Sequence, residues 1–78
     1  MKLYEFLMLD DALQYQAVWD KGVFVDSILF EKINYLLYSI NDFYVEVHYD
    51  AFTNAIIDKL AFRQGEQLDK YLGNLPEF

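Results

Sequence analysis

The sequence predicts an α+β fold, in which an N-terminal helix packs on a four-stranded antiparallel β-meander and a short C-terminal helix follows. Two turns support this prediction, because strand-favouring runs flank Asn41-Asp42 and a further run precedes Glu31-Lys32. A third observation is that one face of the resulting sheet is apolar and needs a helix to cover it. A chain of 78 residues is long enough for a single small domain, residues 1–78.

The main helix is predicted to begin after Asp11, as its N-cap, and to end at Gly22. Its apolar residues recur at helical spacing and form a stripe that can lie on the sheet. The stripe consists of Ala12, Tyr15, Val18 and Trp19. Residues 3–9 are either a short helical turn or an added strand, since a run this short has no diagnostic period.

In the central hairpin, pairing Ile40 with Phe43 sets the register of the other residue pairs. The apolar face then carries the pairs Tyr38–Val45 and Leu36–Val47. The opposite face, here called the mixed face, carries Ser39–Tyr44, Leu37–Glu46 and Tyr35–His48. We expect Trp19, Tyr38 and Phe43 in the core, and the mixed face open to water or to a partner.

The outer strands are predicted with less detail. Pairing Phe30 with Ile33 places Val25 opposite Tyr38 and Val23 opposite Ile40. The fourth strand is predicted at residues 55–62, where the register stays open and a bulge near Ile56-Ile57 is an alternative. After Gly65, the spacing of Leu68, Tyr71 and Leu72 predicts a short helix over residues 66–72.

The charge of the chain indicates what kind of partner it binds. Thirteen acidic residues oppose six basic ones, and the net charge is −7. This balance argues against direct binding to nucleic acid or anionic lipid and favours a larger protein with a basic surface. The alternative is that the charge only maintains solubility. No apolar run is long enough to span a membrane, and the absence of cysteine makes a cytoplasmic location the default expectation.

Catalytic readings find little support in the residues. His48 is the only histidine, and alternation places it in a polar cluster on a strand. Ser27 and Ser39 lie within strands and lack the glycines of a nucleophile elbow. The pair Asp10-Asp11 is explained by helix capping and has no accompanying metal-ligand spacing. We therefore expect a protein that is not an enzyme and that uses no metal or cofactor.

The aromatic residues of the hairpin provide the candidate binding surface. The chain has seven Tyr and seven Phe, and several tyrosines of the hairpin lie beside acidic residues. Tyrosine rings supply rigid contact area, and carboxylates complement Lys or Arg of a partner. For Tyr44, simple cross-strand packing is the alternative. The predicted partner-binding residues are Tyr35, Tyr44, Glu46, His48 and Asp50.

Short sequence pieces spread over most of the chain resemble a group of small uncharacterised proteins of Bacteroidetes. These pieces are Leu3-Tyr4-Glu5-Phe6, Trp19 with Gly22, residues 36–40 followed by 43–47, Asn54 with Ile56, and Gln67-Leu68 with Tyr71-Leu72. The resemblance implies a bacterium, or a phage or mobile element living in it, and it implies no activity.

Two functions follow as expectations. The first is a stoichiometric inhibitor that occludes a basic, nucleic-acid-binding surface, for example a phage-encoded anti-CRISPR or other anti-defence protein. The second is an antitoxin-like or self-associating accessory protein that forms a homodimer through its edge strands.

Overall fold

The computed structural model describes residues 1–63 and Tyr71. Two helices precede four strands in the chain. The helices are α1, Leu3–Leu7, and α2, Asp11–Lys21; the strands are β1, Val23–Phe30; β2, Ile33–Ile40; β3, Phe43–Asp50; and β4, Ile56–Phe62. The strands form one antiparallel sheet in chain order, β1-β2-β3-β4. The predicted α+β class and the meander are confirmed, whereas the predicted C-terminal helix lies outside the described residues apart from Tyr71.

Helix α2 begins one residue earlier than predicted. Its N-cap is Asp10, whose carboxylate accepts a hydrogen bond from the Leu13 amide at 2.9 Å. Asp11 lies in the first turn instead, where its charge is favourable at the positive end of the helix dipole, and it forms an ion pair with Lys59. The prediction of Asp11 as the cap was therefore wrong.

Gly22 joins α2 directly to β1. Its φ of −75° is an ordinary value that any residue adopts. A Cβ atom at this position, however, would lie 2.5 Å from the carbonyl oxygen of Val18 and 3.4 Å from the Cβ of Tyr38. Glycine is required here because a Cβ atom would clash with the Val18 carbonyl oxygen at the end of the helix, not because the backbone is left-handed.

The register of the central hairpin agrees with the prediction at every pair, from Ile40–Phe43 to Tyr35–His48. The turn residues Glu31 and Asn41 both have positive φ, 57° and 52°. Each is the first residue of a two-residue turn, the position that takes positive φ in the turns that favour hairpins.

The two outer strands contain bulges. In β1, Phe24 pairs with Tyr38 and Asp26 with Leu37, so that Val25 is the extra residue. The predicted pairs Val25–Tyr38 and Val23–Ile40 were therefore wrong. In β4, Ile56 pairs with Tyr49 and Asp58 with His48, so that Ile57 is the extra residue. The bulge considered near Ile56-Ile57 is confirmed.

The helices cover the apolar face of the sheet. Helix α2 begins above β4, where Asp11 and Tyr15 contact Lys59, and ends above β2, where Trp19 contacts Tyr38. Burial of each large apolar side chain contributes about 1.5–3 kcal/mol to the free energy of folding. The buried residues on this side are Phe6, Ala17, Val18, Ile40, Phe43, Val45 and Val47.

Trp19 lies at the margin of this core and is 46% exposed. Its ring stacks on Tyr15 with centroids 6.3 Å apart and meets Tyr38 edge-on at 5.9 Å. Phe43 is buried and Tyr38 is partly buried, as expected. The placement of Trp19 in the core was wrong, because it lies in the last turn of α2, where almost half of its surface stays exposed. Ala12, also assigned to the stripe, is exposed, and Ala17 is buried in its place.

Candidate functional site

The mixed face of the sheet is built by alternate residues of all four strands. The cross-strand pairs extend the predicted hairpin pairs outward to the edge strands. One row across the sheet reads Asp26, Leu37, Glu46 and Leu60, and the next reads Ile28, Tyr35, His48 and Asp58. The face therefore brings together carboxylates from three strands around Tyr35 and His48.

Glu46 lies at the centre of the mixed face and is buried, with 1% of its surface exposed. This position contradicts the expectation that Glu46 faces solvent. Alternation placed the side chain on the correct face, but Leu37, Phe62 and Tyr71 form a second apolar cluster on that face. Glu46 therefore cannot be a direct contact for a partner.

Two side chains bind the carboxylate of Glu46. His48 Nε2 lies 2.7 Å from Oε1, and the hydroxyl of Tyr71 donates to Oε2 at 2.7 Å. Burial raises the pKa of Tyr71 far above its ordinary value, and the hydrogen bond to Glu46 and the charges of Glu46 and Asp26 raise it further. Tyr71 is thus a neutral donor to a buried carboxylate, and Glu46 orients the residues around it.

Tyr35 and His48 form the exposed part of this cluster. Their rings meet edge-on, with centroids 4.9 Å apart. Both side chains are partly exposed, and Glu46 fixes the orientation of the imidazole from below. A shallow depression beside Tyr35 is lined by residues of the β1–β2 turn and its flanks, Phe30, Glu31, Lys32 and Ile33.

The remaining predicted site residues have structural contacts as well. Tyr44 stacks on Phe62 with ring centroids 5.9 Å apart, in agreement with the cross-strand alternative. The carboxylate of Asp50 accepts hydrogen bonds from the amides of Phe52 and Thr53 at 2.8 and 3.1 Å, and so caps the loop between β3 and β4. Tyr44 and Asp50 are both partly exposed at the rim of the mixed face.

Three residues of this surface were missed by sequence reasoning. Asp58 lies opposite His48, and Asp26 lies opposite Leu37. Both depend on the registers of the bulged outer strands, and these could not be fixed from the pattern of residues. Tyr71 was noted only as an apolar residue of a helix, and nothing local in the sequence pairs it with Glu46.

The electrostatics of this surface are one-sided. At the strand positions of the mixed face, within the described part of the chain, acidic residues occur at 26, 46, 50 and 58 and neither Lys nor Arg occurs. Asp26 and Asp58 are exposed. Among residues 1–63 and Tyr71, no group of three His, Asp or Glu side chains is arranged to hold a metal ion. No helix in this part of the chain is long and apolar enough to cross a membrane.

Comparisons with protein-family models, curated proteins and solved structures give no match to this chain.

Proposed function

We propose that the chain is a small acidic protein-binding module that acts as a stoichiometric inhibitor by occluding a basic, nucleic-acid-binding surface of a larger protein. The observation that carries the proposal is the mixed face, where the carboxylates of Asp26, Asp50 and Asp58 surround Tyr35 and His48. A phage-encoded anti-CRISPR or another anti-defence protein is an example of such an inhibitor.

This arrangement suits a basic partner for two reasons. Exposed carboxylates attract Lys and Arg of an approaching protein and increase the association rate. Aromatic rings at the centre of a contact supply rigid apolar area, which is where interfaces concentrate their binding energy. Tyr35 and Tyr44 supply such area on a sheet that holds them in place.

Glu46 has an indirect part in this function. Its carboxylate is bound on one oxygen by His48 and on the other by Tyr71. A buried charge held in this way fixes its neighbours more firmly than an exposed one. We therefore assign Glu46 as a positioning residue for the imidazole of His48. That imidazole packs edge-on against the ring of Tyr35.

Charge reversal at one exposed residue tests the proposal. The tagged chain serves as bait in a bacterial host lysate, and the bound proteins are identified by mass spectrometry. The affinity of the purified target is then measured for the parent chain and for Asp58→Lys. We expect the binding to be about tenfold weaker at low salt, equal to about 1.4 kcal/mol, with a smaller loss at high salt.

Asp20→Lys is the matched control. Asp20 is exposed on α2, and its carboxylate accepts one local hydrogen bond from Gln16, as that of Asp58 accepts one from the Lys59 amide. Both substitutions change the net charge equally. Equal losses of affinity for the two variants would show that only the overall charge matters, and would overturn the mixed face as the binding surface. A captured target without a basic surface would also overturn the proposal.

A further inference from the structure

Strand β1 is an exposed edge of the sheet. It pairs with β2 on one side only, and within residues 1–63 and Tyr71 no strand lies on its other side. All its residues are exposed except Ile28, which is partly exposed. Its large apolar side chains are between 48% and 66% exposed; they are Val23, Phe24, Val25, Leu29 and Phe30.

The sequence of β1 lacks most of the features that keep sheet edges apart. Edge strands are commonly protected by Lys, by Pro, or by bulges. Val23–Phe30 contains neither Lys, Arg nor Pro, and its single charge is Asp26. The bulge at Val25 interrupts only one end, and in the regular segment Asp26–Phe30 the Asp26 carboxylate is the one charged group at the edge.

One hydrogen bond shows which backbone groups of β1 face outward. The amide of Ser27 donates to the carboxylate of Asp26 at 2.7 Å, and it therefore does not bind β2. Because successive residues of an antiparallel strand alternate in the direction of their backbone groups, Leu29 faces outward in the same way and Ile28 faces β2. Ser27 and Leu29 are the residues whose backbone can pair with another strand.

We propose that β1 pairs with β1 of a second copy of this chain, antiparallel and related by a two-fold axis at Ile28. In this register the Ser27 amide of each copy leaves the Asp26 carboxylate and donates to the Leu29 carbonyl oxygen of the other copy. The Leu29 amide donates to the Ser27 carbonyl oxygen in return, and the two Ile28 side chains lie opposite each other. The two four-stranded sheets then join into one continuous sheet that spans both copies.

Charge favours this register over the one centred on Ser27, and side-chain contacts support it. Centred on Ile28, the pairing puts Asp26 opposite Phe30, so that the two Asp26 residues are four positions apart, about 13 Å along the strand. That separation exceeds the screening length of about 8 Å at physiological salt. An axis at Ser27 would halve the separation of the two Asp26 residues. The two Leu29 side chains become diagonal neighbours, and Phe30 becomes a diagonal neighbour of Ile28 in the other copy.

The area of the contact predicts a weak dimer. The pairing joins Asp26–Phe30 of the two copies, where the largely exposed apolar side chains are Leu29 and Phe30. Since an aromatic side chain buries roughly 150–250 Å², the contact covers on the order of 300 Å² on each copy. This is below the ~800 Å² per partner of a standard stable interface. Each copy also carries a net charge of −7. The dimer should therefore form only as concentration rises and should strengthen with salt, the opposite of the salt effect expected for a basic partner.

Mass as a function of concentration tests the association. We expect the weight-average mass from sedimentation equilibrium to rise from 9.3 kDa towards twice that value as the protein is concentrated, more steeply at high salt. Leu29→Lys should keep the monomer mass under the same conditions. Leu13→Lys is the control, because it places the same charge at an exposed leucine on α2. A monomer at every concentration, or equal behaviour of the two variants, would overturn the proposal.

A cross-link tests the register. The chain has no cysteine. Opposite residues that do not share hydrogen bonds have Cα atoms about 4.5 Å apart, within disulfide range. Ile28→Cys should therefore form a disulfide-linked dimer under mild oxidation, whereas Ser27→Cys, whose equivalent residues lie two positions apart along the strand, should not. Faster cross-linking of Ser27→Cys would overturn the axis at Ile28.

Discussion

Glu46 is a carboxylate buried in the middle of the sheet. Transfer of an ionised group from water into a protein interior costs several kcal/mol unless hydrogen bonds offset the loss. The side chains of His48 and Tyr71 bind its two oxygens, each at 2.7 Å. The donors around Glu46 therefore contribute directly to the stability of the fold.

Removing one donor should destabilise the protein. We expect Tyr71→Phe, which deletes only the hydroxyl, to lower the free energy of unfolding by about 1–3 kcal/mol because Glu46 loses a buried hydrogen bond. Urea denaturation at neutral pH measures the change. Tyr4→Phe is the control, since Tyr4 is largely exposed on α1. Equal stability of Tyr71→Phe and the parent would contradict the importance of this bond.

The same substitution has a predicted pH dependence. The pKa of Tyr71 is raised on folding, so the folded protein keeps this proton to a higher pH than the unfolded chain, whose tyrosines titrate near pH 10. The stabilising contribution is complete below about pH 10 and is lost as the pH rises towards the raised pKa. The difference in stability between parent and Tyr71→Phe should therefore stay constant up to about pH 9 and shrink as the pH rises above about 10. The pKa values of Tyr15 and Tyr49 are also raised. Both residues are present in the parent and in Tyr71→Phe, so their contribution cancels in the difference between the two proteins.

Single residues show where prediction from the sequence reaches its limit. Asp10 and Asp11 are adjacent and both suit an N-cap, so residue type alone could not choose between them. For Glu46, the alternation of β3 gave the correct face, but its burial depends on Tyr71, which is 25 residues away in the sequence. For Trp19, helical spacing gave the correct side of α2, but not how much of the ring stays exposed where it meets Tyr38.

Among the elements, α1 depends most strongly on packing. With five residues it is far shorter than the ~12–15 residues at which isolated helices become even marginally stable. Its first turn is tied by a hydrogen bond from the Lys2 amide to the Glu5 carboxylate at 2.6 Å. Phe6 is its one buried residue, and its ring lies 5.5 Å from that of Phe43.

Truncation of Phe6 should therefore release α1 and open the core. We expect Phe6→Ala to lower the free energy of unfolding by about 3–5 kcal/mol, the range for large aromatic side chains in cores. Calorimetry should show a fall in Tm of well over about 10 °C, since 1 kcal/mol shifts the Tm of a domain this small by about 4–8 °C. Leu7→Ala, at the next and mostly exposed position, is the control. A similar small shift in both variants would contradict the role of Phe6.

The elements also show which parts of a sheet can be predicted from a sequence. The β2–β3 register was predicted completely, because a two-residue turn and strict alternation leave one arrangement. The β1–β2 register was correct from Phe30, but the predicted pairs beyond the bulge were wrong by one residue. A bulge adds one residue with no change in composition, and a strand that is exposed on both faces carries no buried pattern to reveal it.

For the whole molecule, the net charge predicts which partners are unfavourable. At neutral pH a net charge of −7 repels phosphate groups. Lys59, whose side chain is largely buried, is engaged by Asp11 and lies 4.1 Å from the ring centroid of Tyr15. The charge and these contacts leave little basic surface for nucleic acid.

We therefore expect no mobility shift of DNA or RNA, single- or double-stranded, by the chain alone at about micromolar concentration and physiological salt. A basic nucleic-acid-binding protein in the same gel provides the positive control. A shift that disappears with added salt would contradict this expectation and direct attention to Lys2, Lys21, Lys59, Arg63 and Lys70.

The strand order has a consequence for how fast the protein folds. Each strand pairs with the strand next to it in the chain, through turns of two residues, two residues and a loop over residues 51–55. Each ladder can grow from a local hairpin, which forms in about 1–10 μs, without first closing a long loop. Contacts distant in sequence, such as the hydrogen bond from the Asn41 side chain to the Met1 carbonyl oxygen and that from Tyr71 to Glu46, can then be added to a sheet that already exists. This connectivity lowers the contact order relative to a sheet whose strands are distant in the sequence, and it limits the time during which unpaired strands are open to other chains.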